Sequence, residues 1–260
     1  MLTTLANYRL VSQNLERTLS ATAEQPQVER ETAYYLENIG NVKSIDDFLS
    51  DDRLFKYAMK AWGLEEMDYA KAFMRKVLTE GVDADKAFAN TLSDSRYKEF
   101  AKAFNFKLYG ETTTTWNSAK QGTVDRYMRQ QLEEDAGEQN EGVRLALYFE
   151  RNASNITSAY SILADKALLK VAQTLYGLPE TMSLLDIDQQ AKMLEKFMNL
   201  EDFQDPVEIQ KMLISFSAKW DVENSTAAET NPAVALLQPI EAGISYDLLN
   251  SLQNLKLGGA

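Results

Sequence analysis

The chain has 260 residues, 45% of them apolar and 25% charged, a balance that suits a globular protein able to build its own core without disulfides or metal. It contains no cysteine and no histidine, which excludes thiolate nucleophiles, disulfides, the usual zinc ligands and imidazole proton transfer. The net charge is −12, with 15 basic and 18 acidic side chains in residues 1–113 and 12 and 21 in residues 114–260; such a surface repels phosphate backbones and anionic lipid headgroups, and it suits solubility or a basic protein partner.

The amino-terminal stretch lacks the basic start and apolar block of a secretory signal, and no segment reaches the roughly 18 apolar residues of a membrane span. Leu5, Tyr8, Leu15 and Leu19 instead mark one amphipathic helix running through YRLVSQNLERTL. ETAYYLENI reads as the next helix and ends at a loop signalled by Asn38, Gly40 and Asn41. In DRLFKYAMKAWGL, Leu54, Phe55, Ala58, Ala61 and Trp62 form one apolar stripe; Asp51 stands as N-cap, and Gly63 stands just past the end with Leu64 placed to fold back. EMDYAKAFMRKVL and a helix starting near Asp94 follow, the latter with Tyr97, Phe100, Ala101 and Phe104 on one side. The threonine run 112–115 reads as a connection ahead of Trp116.

Beyond that connection DRYMRQQLEED, GVRLALYFERN, DKALLKVAQTLYGL, DQQAKMLEKFM and PVEIQKMLISFSAKW are all helical in pattern, and no segment alternates as a strand would. After Val222 a polar stretch with Pro232 and Pro239 precedes a terminal helical stripe, Ile240, Ile244, Leu248, Leu252 and Leu255. The second set repeats the first. Lys56, Ala58, Gly63 and Leu64 are answered by Lys170, Ala172, Gly177 and Leu178, and Asp51 by Asp165, at an offset of 114; aligning Tyr35 with Tyr148 gives an offset of 113 and pairs Glu37 with Glu150. The sequence therefore predicts an all-α fold of two tandem, internally duplicated helical bundle units, residues 1–113 and 114–223, with a linker and C-terminal helix in 224–260.

Carboxylates are the remaining candidates for chemistry. Asp46, Asp51, Asp83 and Asp186 are explained as helix-start residues, each stabilising by roughly 0.3–1 kcal/mol; Asp47, Asp52, Asp85, Glu133–Asp135 and Asp188 complete the clusters. None has calcium-loop spacing, and no G-x-x-x-x-G-K or G-x-G-x-x-G phosphate loop is present. Trp62, Trp116 and Trp220 read as core residues, and Glu37 and Glu150 as helix-surface carboxylates paired with Arg30 or Arg144. The sequons at Asn155 and Asn224 read as chance matches. No catalytic, cofactor-binding or metal residue is assigned, and no cofactor is expected.

YYLEN and LYFERN, the repeated D-x-x-L-x-K-x-A-x-x-x-x-G-L core and the ending ISYDLLNSLQNLKLGG together resemble an alphaproteobacterial domain family of unknown function whose members are often encoded among flagellar genes. The resemblance implies a non-enzymatic, flagellum-associated structural or assembly protein that works through helix-mediated contacts with a protein partner, a flagellar component among the candidates. The alternative is a cytoplasmic adaptor or export chaperone holding a helical client. Either reading places the chain in the cytoplasm or on the flagellar export route, without nucleic acid or membrane insertion. The oligomeric state is left open.

Overall fold

The computed structural model describes residues 3–224, and in that range the chain is helical throughout with no strand. The expected linker and C-terminal stripe, Ile240 to Leu255, lie outside the described residues. In chain order the helices are α1 (Thr4–Gln13), α2 (Leu15–Ala23), α3 (Pro26–Asn38), α4 (Ile45–Ser50), α5 (Asp52–Ala61), α6 (Lys71–Glu80), α7 (Phe88–Thr91), α8 (Ser95–Ala103), α9 (Phe106–Tyr109), α10 (Gln121–Gln139), α11 (Glu141–Asn152), α12 (Ala159–Leu163), α13 (Lys166–Tyr176), α14 (Ile187–Glu195) and α15 (Pro206–Asn224), joined in many places by short 3-10 turns.

The amino-terminal pattern expected as one helix is two. Asn14 turns its side chain back to donate to the Leu10 carbonyl at 2.8 Å, and its own N–H bonds three residues back to Val11. Side-chain competition of this kind interrupts a helical ladder, and α2 restarts at Leu15. The threonine run is a 3-10 turn, Gly110–Thr115, in which Thr114 is buried and donates to the Val42 carbonyl at 2.8 Å.

The order α3, 3-10 turn, α4, α5 recurs as α11, 3-10 turn, α12, α13, and the local chemistry recurs with it. Ser44 caps α4 by accepting from the Asp47 N–H, and Ser158 caps α12 by accepting from Ser161. Asp51 caps α5 through the N–H groups of Arg53 and Leu54; Asp165 caps α13 through those of Ala167 and Leu168. Past each helix a glycine at positive φ, Gly63 (66°) or Gly177 (64°), lets the Leu64 or Leu178 N–H reach back 2.8 Å to the carbonyl of Met59 or Gln173.

These recurrences all run at an offset of 114, which corrects the pairing read from sequence. Tyr34 donates to Asp51 and Tyr148 to Asp165, so Tyr34, and not Tyr35, answers Tyr148. Tyr35 then corresponds to Phe149 and Glu37 to Arg151, and Glu37 and Glu150 are not equivalent positions. A one-residue slip on a helix turns a side chain by about 100°. That places Glu37 in solvent and Glu150 against α1.

Two apolar cores result. The first gathers Val28, Tyr35, Phe48, Phe55, Met74, Phe100 and Phe104 with Val124 and Tyr127; the second gathers Tyr8 with Leu132, Leu147, Phe149, Leu194, Phe203, Leu213 and Phe216. They part inside α10, between Tyr127 and Leu132, and not at the expected boundary after residue 113. The long α10 serves both, and through Glu223 the chain forms one compact unit. Tyr35, Tyr57 and Tyr127 stack in sequence at 4.4 and 3.9 Å between ring centres, carrying α10 on the first core.

The amino-terminal helix belongs to the second core. Tyr8 donates to Glu150 at 2.7 Å and accepts from Gln210 at 3.1 Å, and burial pushes its hydroxyl up to about 12. At the start of α1 the Thr4 N–H bonds to both oxygens of Asp221, at 3.1 and 3.0 Å, while Asn140 donates to the Thr4 hydroxyl at 3.0 Å. The stripe Leu5, Tyr8, Leu15 and Leu19 is thereby packed on its own chain.

Candidate functional site

Where the two cores meet, charge is buried. Glu133 on α10 has a side chain only 1% exposed and lies between two guanidinium groups: Arg129 one turn earlier, at 3.0 Å, and Arg151 on α11, at 2.9 and 2.7 Å. Gln130 accepts a further bond from Arg151 at 3.1 Å. Next to this group Arg96 on α8 binds Asp94 and donates to the Gly63 carbonyl at 2.7 Å, and it lies 3.5 Å from Asp165. The Arg126 guanidinium lies over the Trp62 ring, 3.8 Å from its centre. Desolvation and the neighbouring positive charge of Arg151 lower the Arg126 pKa, whereas Asp94, Tyr148 and Asp165 around Arg96 raise its pKa despite burial.

The carboxylate clusters separate into unrelated structural duties. Asp51 and Asp186 are N-caps, as expected. Asp46 is in the first turn of α4 and pairs with Arg75, and Asp52 pairs with Lys71. Asp83 is not at a helix start; it accepts from Asn105 at 3.1 Å. The run 133–135 faces three ways, Glu133 to the two arginines, Glu134 to Lys60 at 2.6 Å and Asp135 to Gln25 at 2.6 Å. Among the described residues no three carboxylates come together in a way that could hold a metal ion. Arg144 pairs with Glu141 and Arg30 bonds the Pro26 carbonyl, so neither holds the glutamates assigned to them.

Trp62 and Trp220 are buried, but Trp116 is 53% exposed. It follows directly on the 3-10 turn 110–115, which ends in extended backbone and leaves the indole beside Tyr109, 5.2 Å between ring centres. Periodicity could not foresee this, because Trp116 belongs to no helix.

The exposed apolar side chains are distributed unevenly. Leu184, Leu185, Ile187, Phe197, Leu200, Val207, Ile214 and Val222 follow one another along the turn before α14, α14 itself, the turn after it and α15, with Leu184 at 86% exposure. Helices α14 and α15 keep Ala191, Leu194, Leu213 and Phe216 for the core, so these exposed residues are an additional apolar set. Elsewhere a groove of about 320 Å³ opens between α1–α2 and α10–α11, with Leu10, Val11, Leu132, Ala136 and Val143 in its walls. It exists because the break at Asn14 redirects α2.

The family model described as "Protein of unknown function (DUF1217)" matches residues 61–209. The chain belongs to this family. A crystal structure of a protein from Agrobacterium tumefaciens, determined in a structural genomics programme, is similar to this DUF1217 protein at 48% identity over 86% of this chain and 97% of that one, with a TM-score of 0.77. No curated protein matches the chain. The expected membership of a family of unknown function is met, and the matched segment contains Arg96, Arg126, Glu133 and Arg151 and most of the exposed apolar set.

Proposed function

We propose that this DUF1217 protein is a non-enzymatic structural or assembly component of the flagellum that engages a protein partner through the apolar residues of α14, α15 and the turns around them. The supporting observation is that eight of the fifteen exposed large apolar side chains among the described residues fall between Leu184 and Val222. A contiguous exposed apolar patch marks an interaction surface, and we take these residues to form one. The flagellar assignment rests on the sequence resemblance, and so does the reading of the two recurring sets of helices as copies of one ancestral unit. Leu5, Tyr8, Leu15 and Leu19 already pack on the second core, which supports placing the partner surface on α14 and α15 instead of the amino-terminal helix.

Fractionating cells into cytoplasm, basal body and culture medium tests the proposal. Recovery with the basal body or in the medium, together with impaired motility on deletion, is the expected result. A purely cytoplasmic protein would instead favour an adaptor holding a client segment, the reading to which the groove between α2 and α10 is suited.

A further inference from the structure

Three arginines from three helices, Arg96, Arg126 and Arg151, line one small cleft of about 20 Å³ together with Trp62, Glu99 and Asn152. Two of the three are fully engaged. Arg96 is held by Asp94 and the Gly63 carbonyl, and Arg151 by Glu133 and Gln130. Arg126 differs: among the described residues it forms no salt bridge, although Glu99 favours its charge from a longer distance, and its guanidinium lies over the face of Trp62. The Trp62 indole N–H is itself buried and has no acceptor. An uncommitted guanidinium and an uncommitted indole N–H therefore share one cleft, and all that they lack is an acceptor.

We propose that this cleft between α5, α8, α10 and α11 binds one small oxyanion group, a carboxylate or a phosphate, held by the Arg126 guanidinium and the Trp62 indole N–H. Oxyanions carry acceptors and no donors, and the planar guanidinium fork matches two oxygens of either group. A buried donor without an acceptor costs about 1–3 kcal/mol, which a bound oxyanion removes. Arg96 and Arg151 are offset by Asp94, Asp165 and Glu133, so Arg126 supplies the charge that faces the anion. The cleft is too small for a nucleotide or a sugar and admits one group at a time, presented from outside. Glu99 lines the same opening and opposes the anion, so it sets the affinity.

The full-length protein is titrated with sodium acetate and, separately, with inorganic phosphate, each against sodium chloride at equal ionic strength, following Tm and tryptophan fluorescence. A saturable rise in Tm beyond chloride with one of the two is expected, and which one identifies the chemistry. Arg126→Gln is expected to weaken it at least tenfold and Trp62→Phe severalfold, while Glu99→Gln tightens it severalfold. No saturable effect from either anion, or an unchanged effect in Arg126→Gln, overturns the proposal. Should Arg126→Gln fail to fold, unchanged affinity in both Trp62→Phe and Glu99→Gln overturns it equally.

Discussion

Tyr148 donates to Asp165 across 2.5 Å, 17 residues along the chain, as Tyr34 donates to Asp51 at 3.0 Å over the same separation. In both places the carboxylate that caps a helix, α5 or α13, is also the anchor for the helix two before it, α3 or α11. Asp165 is buried and 3.5 Å from Arg96, whereas Asp51 is more accessible. Asp165→Ala should therefore cost about 2–4 kcal/mol, since it removes a cap and strands buried donors, against about 1 kcal/mol for Asp51→Ala. Urea melts of the two variants check the ordering, and equal losses would contradict it.

Glu133 is the nearest carboxylate to two arginines, whose other partners are Glu150 at 3.9 Å for Arg129 and Gln130 at 3.1 Å for Arg151. Its replacement by alanine should destabilise the protein by about 3–5 kcal/mol, the range for breaking a buried ion pair from one side. Replacing Glu133 together with Arg151 by apolar residues should cost less than the single change. Chemical denaturation of the single and double variants measures this directly.

Gly142 sits in the first turn of α11 under Trp220, and a Cβ there would fall 2.3 Å from the indole Cδ1. In an ordinary helix a glycine-to-alanine change stabilises by about 1 kcal/mol. Here Gly142→Ala should destabilise, by about 1–3 kcal/mol as overpacking does. The loss should be smaller in a Trp220→Leu background, and a double-mutant cycle reads the coupling.

Tyr8, Tyr127 and Tyr176 are each pushed up to about 12, first of all by burial. In the unfolded chain they ionise near 10. The folded state thus binds more protons than the unfolded state between these values, and its stability, complete below pH 10, should fall as pH rises from 10 through 12. Denaturant midpoints from pH 8 to 11.5 test this, and Tyr8→Phe should flatten the slope.

Leu184→Glu and Val207→Glu lie outside the core, so each should change stability by no more than about 0.5 kcal/mol. If the exposed row binds a partner, the pair of changes should nonetheless release the protein from its particulate fraction. Retention of the double variant there would argue against this surface.

Much of the fold was written in local chemistry. Asp51 and Asp165 announce helix starts and Gly63 and Gly177 helix ends, because caps depend on neighbours in sequence. The pairing of the two sets slipped by one because Tyr34 and Tyr35 are adjacent and identical, and only the hydrogen bond to Asp51 tells them apart; Tyr35 instead donates to the Ala119 carbonyl at 2.6 Å. The convergence of Arg96, Arg126 and Arg151 was invisible for a different reason. They come from three helices and carry no spacing that a linear pattern could hold. The break at Asn14 and the exposure of Trp116 likewise depend on side-chain hydrogen bonding and turn geometry.

The clasp of Asp221 on Thr4 joins positions 217 residues apart. On a ribosome adding about 5–20 residues per second, the first helix is made some 10–40 seconds before that clasp can form. Its apolar side can meet α11 earlier, but its first residue is clasped by Asp221 only when α15 emerges. The second core thus joins an early and a late segment of the described residues, and a chain interrupted before α15 leaves Thr4 without the carboxylate that holds it.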